Sequence, residues 1–331
     1  MKFLKTVGIA ILLATLSIAG SAYAQDWLGG TPKKPIDELK VGISFRGGAG
    51  GNQYVLQYVD KVREMAEELG IELVLVDAED DPGRQTQQMP ELIAQQPDVI
   101  VVWALNAAGI VPAIKQAHDA GIPVVTIVAD VDESGKQFVT AHAGPNDTLQ
   151  GKQAAQALID AMDGKGNVVA LRGPTGFAPA DQRHQAFLDV AADYPDIKLL
   201  DAQDSNWSVG KGQSLMENFI TRFGRDIDGV ISSDGYTGTG AYLATEAAVK
   251  AGQIDDGHIK FSDPNTVATA YDLIKEGKYS AGVLQMPQDD AEFSFKIAVQ
   301  VAAGIDVPRY NYLPTPVVTP ENAADYPRPN L

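Results

Sequence analysis

The 331-residue chain contains no cysteine. That absence excludes disulfide staples, a cysteine nucleophile and a thiolate metal site. Positive charge is scarce. Lys and Arg number 26 against 43 Asp and Glu, a net charge of −17, and the sequence pI is about 4.5. No Lys- and Arg-rich run offsets this, so the chain repels nucleic acid phosphates and anionic lipid surfaces. Histidine is rare. His118, His142, His184 and His258 show no H-E-x-x-H or other paired metal spacing. His118 sits in a helical pattern and reads as a surface residue. No G-x-S-x-G elbow occurs. What remains is ordinary globular material, 45% hydrophobic and 21% charged. That rules out a disordered chain, a collagen and a coiled-coil rod. The length fits about two domains at roughly 150 residues each.

The first residues read as an address label. Lys2 and Lys5 precede an apolar stretch from Val7 to Ala19, followed by Ala22-Tyr23-Ala24. A basic start, a short apolar segment and an A-x-A pattern describe a signal peptide, with cleavage expected after Ala24. About 13 apolar residues make about 20 Å of helix, short of the roughly 30 Å hydrocarbon core. Losing Lys2 and Lys5 takes the net charge from −17 to −19. The expectation is an exported, unanchored protein of the periplasm.

After a polar lead-in, residues 25–38, a unit repeats. A short β-rich run precedes an amphipathic helical run, and then another β-rich run follows. The expected strands are Lys40–Ser44, Glu72–Val76, Val99–Trp103, Pro123–Val128, Asn167–Leu171, Lys198–Asp201, Gly229–Ser232, Ile259–Phe261 and Tyr279–Leu284. Runs such as Val99-Ile100-Val101-Val102 are apolar throughout, as in strands buried on both faces of a parallel sheet. In Tyr54–Leu69, the residues Val55, Tyr58, Val59, Val62, Met65, Ala66 and Leu69 form one stripe, and Gly70 stops the helix. Such alternation means a doubly wound α/β fold. Nine strands are many for one such sheet, so two similar lobes are expected, with a compositional break near Ala141–Asn146.

In open α/β sheets ligands sit beyond the carboxyl ends of the strands. The first strand delivers Arg46 and a glycine run with Asn52 and Tyr54. The third delivers Trp103 and Asn106, and the fourth Asp130 and Asp132. The fifth is followed by Phe177. Later strands deliver Trp207, then Asp234 and Tyr236, then Asp263 and Asn265, then Gln285. Forked polar side chains suit vicinal hydroxyls, which both donate and accept. Aromatic faces suit the C–H faces of a sugar ring. Loop caps and turns favour the same polar residues, so single members carry little weight and the set carries more.

At these residues the chain resembles the type I periplasmic sugar-binding proteins of ABC transporters, the ribose-binding-protein group. Three stretches carry the resemblance. They are Asp80-Asp81-Pro82 through Gln96-Pro97-Asp98-Val99-Ile100, then Ala120-Gly121-Ile122-Pro123-Val124-Val125, then Arg183 with Ala186-Phe187. It runs from about Leu39 to Val318. The resemblance implies two doubly wound parallel-sheet lobes joined by a three-strand hinge, with a ligand trapped between them. The lobes would be 39–144 plus 287–314, and 145–286 plus 315–331. It implies ligand contacts at Ser44 and the loop after it, Arg183, Trp207, Asp234 and Gln285. Asp130 or Asp132 would add another, and Asp263 or Asn265 a further one. Trp103 falls where ribose binders carry Asn, and Arg46 with the glycines replaces their adjacent aromatics. Ribose itself is therefore not the obvious ligand.

The glycine run Gly47–Gly51 is not a dinucleotide fingerprint, since the third glycine of G-x-G-x-x-G falls on Gln53. Gly151-Lys152 is followed by Gln153, so no P-loop is present. With Arg46, the run leaves a sugar acid or sugar phosphate open as a ligand class. Asp255-Asp256 and Asp289-Asp290 read as solvated helix starts. No nucleophile, metal or cofactor motif supports an enzyme. The resulting expectation is a monomeric receptor, with no cofactor, that feeds a separate permease and ATPase. A sensor reporting to a chemoreceptor or sensor kinase is the alternative. A transcription regulator of this fold would need a helix-turn-helix and a basic face.

Overall fold

A computed structural model describes residues 26–47 and 52–331. The expected leader, its cleavage site after Ala24 and the glycines Gly48, Gly50 and Gly51 lie outside the described residues.

The chain begins with β1 (Lys40–Phe45), α1 (Gln53–Leu69), β2 (Glu72–Asp77), α2 (Pro82–Ala94) and β3 (Val99–Val102). It continues through α3 (Val111–Asp119), β4 (Val124–Ile127) and β5 (Ala141–Pro145). The second set is α4 (Asp147–Ala161), β6 (Gly166–Arg172), α5 (Ala178–Ala191), β7 (Ile197–Asp204) and α6 (Val209–Phe223). Then come β8 (Gly229–Ser232), α7 (Gly235–Lys250), β9 (Lys260–Pro264), α8 (Ala268–Lys275) and β10 (Ala281–Val283). The chain ends with α9 (Pro287–Ala302), β11 (Tyr310–Leu313) and β12 (Val317–Val318).

These strands build two six-stranded sheets, one ordered β11-β5-β4-β3-β1-β2 and the other β12-β10-β9-β8-β6-β7. The order is the same in both, with each half's first strand in the second position from one edge. Pairing is parallel except between β12 and β10. The main chain passes between the sheets three times: after β5, after β10 and after β11.

The continuous apolar strands explain the layering. Val99 and Val101 belong to one core with α1 and α9, while Ile100 and Val102 belong to another with α2 and α3. Successive side chains of a strand point to opposite faces, so an all-apolar strand needs cover on both. The second sheet repeats this, with Val169 and Leu171 under α6 and α7, and Val168 and Ala170 under α4 and α5. Gly70, at φ 72°, ends α1 in the left-handed conformation, and Asn52 caps its start by accepting from Val55 N.

Three strands were not legible in the sequence. The Ala141–Pro145 segment, read as a break, is β5. Its Ala-His-Ala-Gly-Pro sequence carries no β-branched residue to mark it. The edge strand β11 is half exposed and β12 is two residues long. Among the described residues no helix is long and apolar enough to cross a membrane.

Candidate functional site

Both lobes present their strand ends to one cleft. The reversal in strand order lies between β1 and β3 in one sheet and between β6 and β8 in the other, where ligands of doubly wound sheets sit. Arg46, Trp103, Gly173 and Ser233-Asp234 follow these four strands directly.

A cavity in this cleft is lined from the first lobe by Arg46, Asn52, Tyr54, Val55, Trp103 and Val128. The other side supplies Phe177, Pro179, Arg183, Trp207, Asp234, Tyr236, Asn265 and Gln285. Its free volume is about 60 Å³. One water needs about 10–15 Å³ on that measure, so the occupant is a small molecule. The lobes touch around it. The Arg46 guanidinium lies 5.4 Å from the Phe177 ring centroid, and Phe177 and Ala180 pack into the first lobe's core.

Two indoles wall the cavity. Trp103 is held by Tyr58 and Tyr54, with ring centroids 5.1 Å and 6.1 Å away. Trp207 meets Phe177 edge to face at 5.9 Å. Both indole Nε1 atoms are buried with no hydrogen-bond partner among the described residues, as are Tyr236 Oη and Asn265 Oδ1. A buried polar group without a partner costs about 1–3 kcal/mol, so these lining residues keep hydrogen-bonding capacity that the protein itself does not use. Backbone strain gathers here too. Val128, Trp207 and Asn265 have φ of 56°, 57° and 57°. For a β-branched or bulky side chain that region is costly, and such strain collects at ligand clamps.

Arg183 is the buried cation of the site. Its Nε donates to Asp147 Oδ1 at 2.8 Å and its Nη1 to Ser233 O at 2.9 Å. Its Nη2 donates to Gln150 Oε1 at 2.9 Å and Gln285 Oε1 at 3.2 Å. A guanidinium has five N–H donors, so one, on Nη1, remains for the cavity. Burial pushes the Asp147 carboxyl up to about 6, although Arg183 opposes the shift. Asp234 caps α7 by accepting from Thr237 N at 3.0 Å, and burial raises its pKa.

Five of the expected site residues lie off the cavity lining. Ser44 is fully buried in β1, with its Oγ unpartnered among the described residues. Asp263 is fully buried as well, with Oδ1 accepting from Thr266. Burial, reinforced by the Asp234 charge, pushes its carboxyl up to about 7. Asp130 turns back toward Thr126 Oγ1 at 3.0 Å and Val131 N at 2.8 Å. Val128 takes the strand-end position instead, because its positive φ redirects the chain after β4. Asp132 caps an exposed 3-10 helix through Ser134, and Asn106 closes a turn on Gly109 N at 2.7 Å. Of the alternatives left open, Asn265 rather than Asp263 lines the cavity. Val55, Val128 and Pro179 were missed, because apolar residues carry no polar signal in the sequence.

The reading of Asp289-Asp290 as a solvated pair fails for Asp290, which is fully buried while Asp289 is exposed. α9 packs against α1 and the sheet, and position 290 falls on its inner face.

Residues 43–306 match the periplasmic binding protein domain. The chain belongs to that family. Periplasmic binding proteins are solute-binding proteins rather than enzymes. The chain is 29% identical to a xylitol-binding protein of Mycolicibacterium smegmatis, over 76% of this chain and 70% of the relative. It is 28% identical to a ribose import binding protein of Bacillus subtilis, over 89% of each. The same fold occurs in an ABC transporter periplasmic solute binding protein of Actinobacillus succinogenes with bound D-allose. That structure has TM-score 0.76 and 24% identity, with 87% of this chain and 100% of the other covered.

Proposed function

We propose that this chain is the receptor of an ABC importer and captures a small, neutral, polyhydroxylated molecule between its lobes. What carries the reading is the mixture of unpartnered buried polar atoms on the residues that line one small cavity. Trp103 Nε1 and Trp207 Nε1 donate only, Asn265 Oδ1 accepts only, and Tyr236 Oη does either. Hydroxyl groups answer all of them, since each donates and accepts. The same set is expected to reject an analogue lacking a hydroxyl, which would leave a buried group unpaired. Arg46, Trp103, Arg183, Trp207, Asp234 and Asn265 are the proposed primary contacts, and Gln285, whose amide is bonded at both ends within the protein, backs them. Asn52, Tyr54, Phe177 and Tyr236 form the surrounding wall.

A neutral ligand is favoured over a sugar acid or sugar phosphate. Arg183 is already paired with Asp147, and Arg46 Nε donates to Asp80 at 2.8 Å. Asp234 and Asn265 would face an anion with acceptor oxygens.

Capture works by closure. Contacts from both lobes form only when the cleft is shut, so the ligand shifts the equilibrium to the closed state. Moving closure from 1:99 to 99:1 takes about 5.5 kcal/mol of differential affinity. The closed outline would then be read by a separate permease and ATPase. In this reading the mature protein is a monomer in the periplasm, and delivery to a chemoreceptor remains a second use of the same closed state.

A thermal-shift screen followed by calorimetry decides the ligand class. The panel is ribose, xylitol, D-allose, myo-inositol, gluconate and ribose 5-phosphate. Binding confined to neutral members is expected. Binding of gluconate or the phosphate alone would reverse the charge assignment, and turnover of any of them would end the receptor reading.

A further inference from the structure

Tyr54, Gln285 and Asp290 form a closed hydrogen-bonded triangle at the edge of the cavity. Tyr54 Oη donates to Asp290 Oδ2 at 2.7 Å. The Gln285 amide Nε2 donates to Tyr54 Oη at 2.6 Å and to Asp290 Oδ2 at 2.9 Å. The other end of that amide, Oε1, accepts from Arg183 Nη2 and Gln150 Nε2 at 3.2 Å each. The three residues come from α1, the second passage between the lobes, and the start of α9. Asp290 is 0% exposed, its Oδ1 has no partner among the described residues, and no basic side chain is bonded to it. A buried carboxyl without a cation is costly, and the fold holds one at the hinge.

We propose that Tyr54 and Asp290 are positioning residues that make Gln285 a closure latch, its Nε2 meeting them across the lobes while its Oε1 is held by Arg183. The inference rests on the solute-binding reading above. An amide's two ends are alike in shape and opposite in polarity. Flipping Gln285 would set Oε1 against Asp290 Oδ2, acceptor to acceptor, and Nε2 against the Arg183 guanidinium, donor to donor. The triangle forbids that flip. Gln285 then joins first-lobe Tyr54 to second-lobe Arg183 through one rigid group.

The latch has a pH signature. Facing Asp290 are Tyr54 and Tyr58 of α1, Asp147 of α4 and Arg183 of α5. On β5, His142 bonds Thr126 instead, and on α9 itself Asp289 is exposed. Burial pushes the Asp290 carboxyl up to about 7, and the Asp147 charge adds to it. Opening hydrates the carboxyl and returns it toward its ordinary value. Closure therefore weakens as pH rises through 7, by roughly tenfold between pH 6 and 8.

Because the chain has no cysteine, Gln116→Cys on α3 and Glu217→Cys on α6 give two unique spin-label sites. Inter-lobe distances are measured at pH 6 and 8, without sugar and with ribose, xylitol or D-allose, for the parent, Tyr54→Phe and Asp290→Asn. The expected result is tenfold or greater loss of sugar affinity and broader sugar-free distances in Tyr54→Phe, and in Asp290→Asn, a neutral isostere of the protonated acid, closure like that of the parent at pH 6 that no longer weakens at pH 8. Melting curves at pH 6 confirm folding. If Asp290→Asn does not fold, Tyr54→Phe, which removes one oxygen, still decides. Distances and pH response identical to the parent in the folded variants overturn the latch. A parent that closes with none of the sugars counts against the proposed function, and the sugar-free distances then judge the latch alone.

Discussion

The Arg46 guanidinium of the first lobe lies over the ring of Phe177 from the second, 5.4 Å from its centroid. The pair closes one wall of the cavity, and Asp80 steers the arginine by accepting from Nε at 2.8 Å. A cation over an aromatic face contributes about 0.5–2 kcal/mol, more when water is excluded. Phe177→Leu should therefore weaken ligand binding by roughly 2- to 30-fold, through faster release. Stopped-flow dissociation measures this, and an unchanged release rate would show that the wall does not hold the ligand.

Trp103→Phe should remove one hydrogen-bond donor while keeping most of the apolar packing against Tyr58. One neutral hydrogen bond is worth about 0.5–1.5 kcal/mol, so a loss of roughly 2- to 13-fold in affinity is expected. Trp207→Phe should behave alike, because its Nε1 is also unpartnered. Calorimetry checks both. Affinity unchanged in the two variants would mean the indole donors do not face the ligand.

Arg183→Met should act on the fold before it acts on binding. It leaves Asp147, 4% exposed, as a buried acid without its partner. Breaking such a pair costs about 3–5 kcal/mol. Urea unfolding should report a loss of that size, and Asp147→Asn combined with Arg183→Met should recover part of it. A variant as stable as the parent would show that the pair contributes nothing.

Stability should fall as pH rises from 5 to 8. Burial raises Asp147 to about 6 and Asp263 and Asp290 to about 7, above the ordinary value of 3.8. Groups raised in the folded state contribute most below their unfolded pKa and lose that contribution as pH climbs through the folded one. Partly buried carboxylates with lowered values, such as Asp201 and Asp272, act oppositely and only at lower pH. The melting temperature should thus peak near pH 4–5, and Asp263→Asn should flatten the fall above it. A melting temperature that climbs steadily from pH 5 to 8 would contradict the burial of these acids.

Much of the site was readable because doubly wound sheets put ligands at strand ends, and strand ends can be counted from sequence. Trp103, Trp207, Asp234 and Gln285 come within three residues of their strand ends and do line the cavity. Asp130 shows where counting stops. Its place after β4 was right, but the left-handed turn at Val128 aims it elsewhere, and no local pattern announces a β-branched residue at positive φ.

By itself the sequence determined the alternation of strands and helices, the two-lobed doubly wound fold and the acidic, cysteine-free character, because period and composition are local properties. The tertiary structure alone decided which polar groups face one another. Asp290 is adjacent to Asp289 in the chain, yet the packing of α9 on α1 buries one and exposes the other. Tyr54 and Asp290 are 236 positions apart and meet at 2.7 Å only because the chain returns through the hinge. Contacts of that span are set by how helices pack against the sheets, which no stretch of sequence encodes alone.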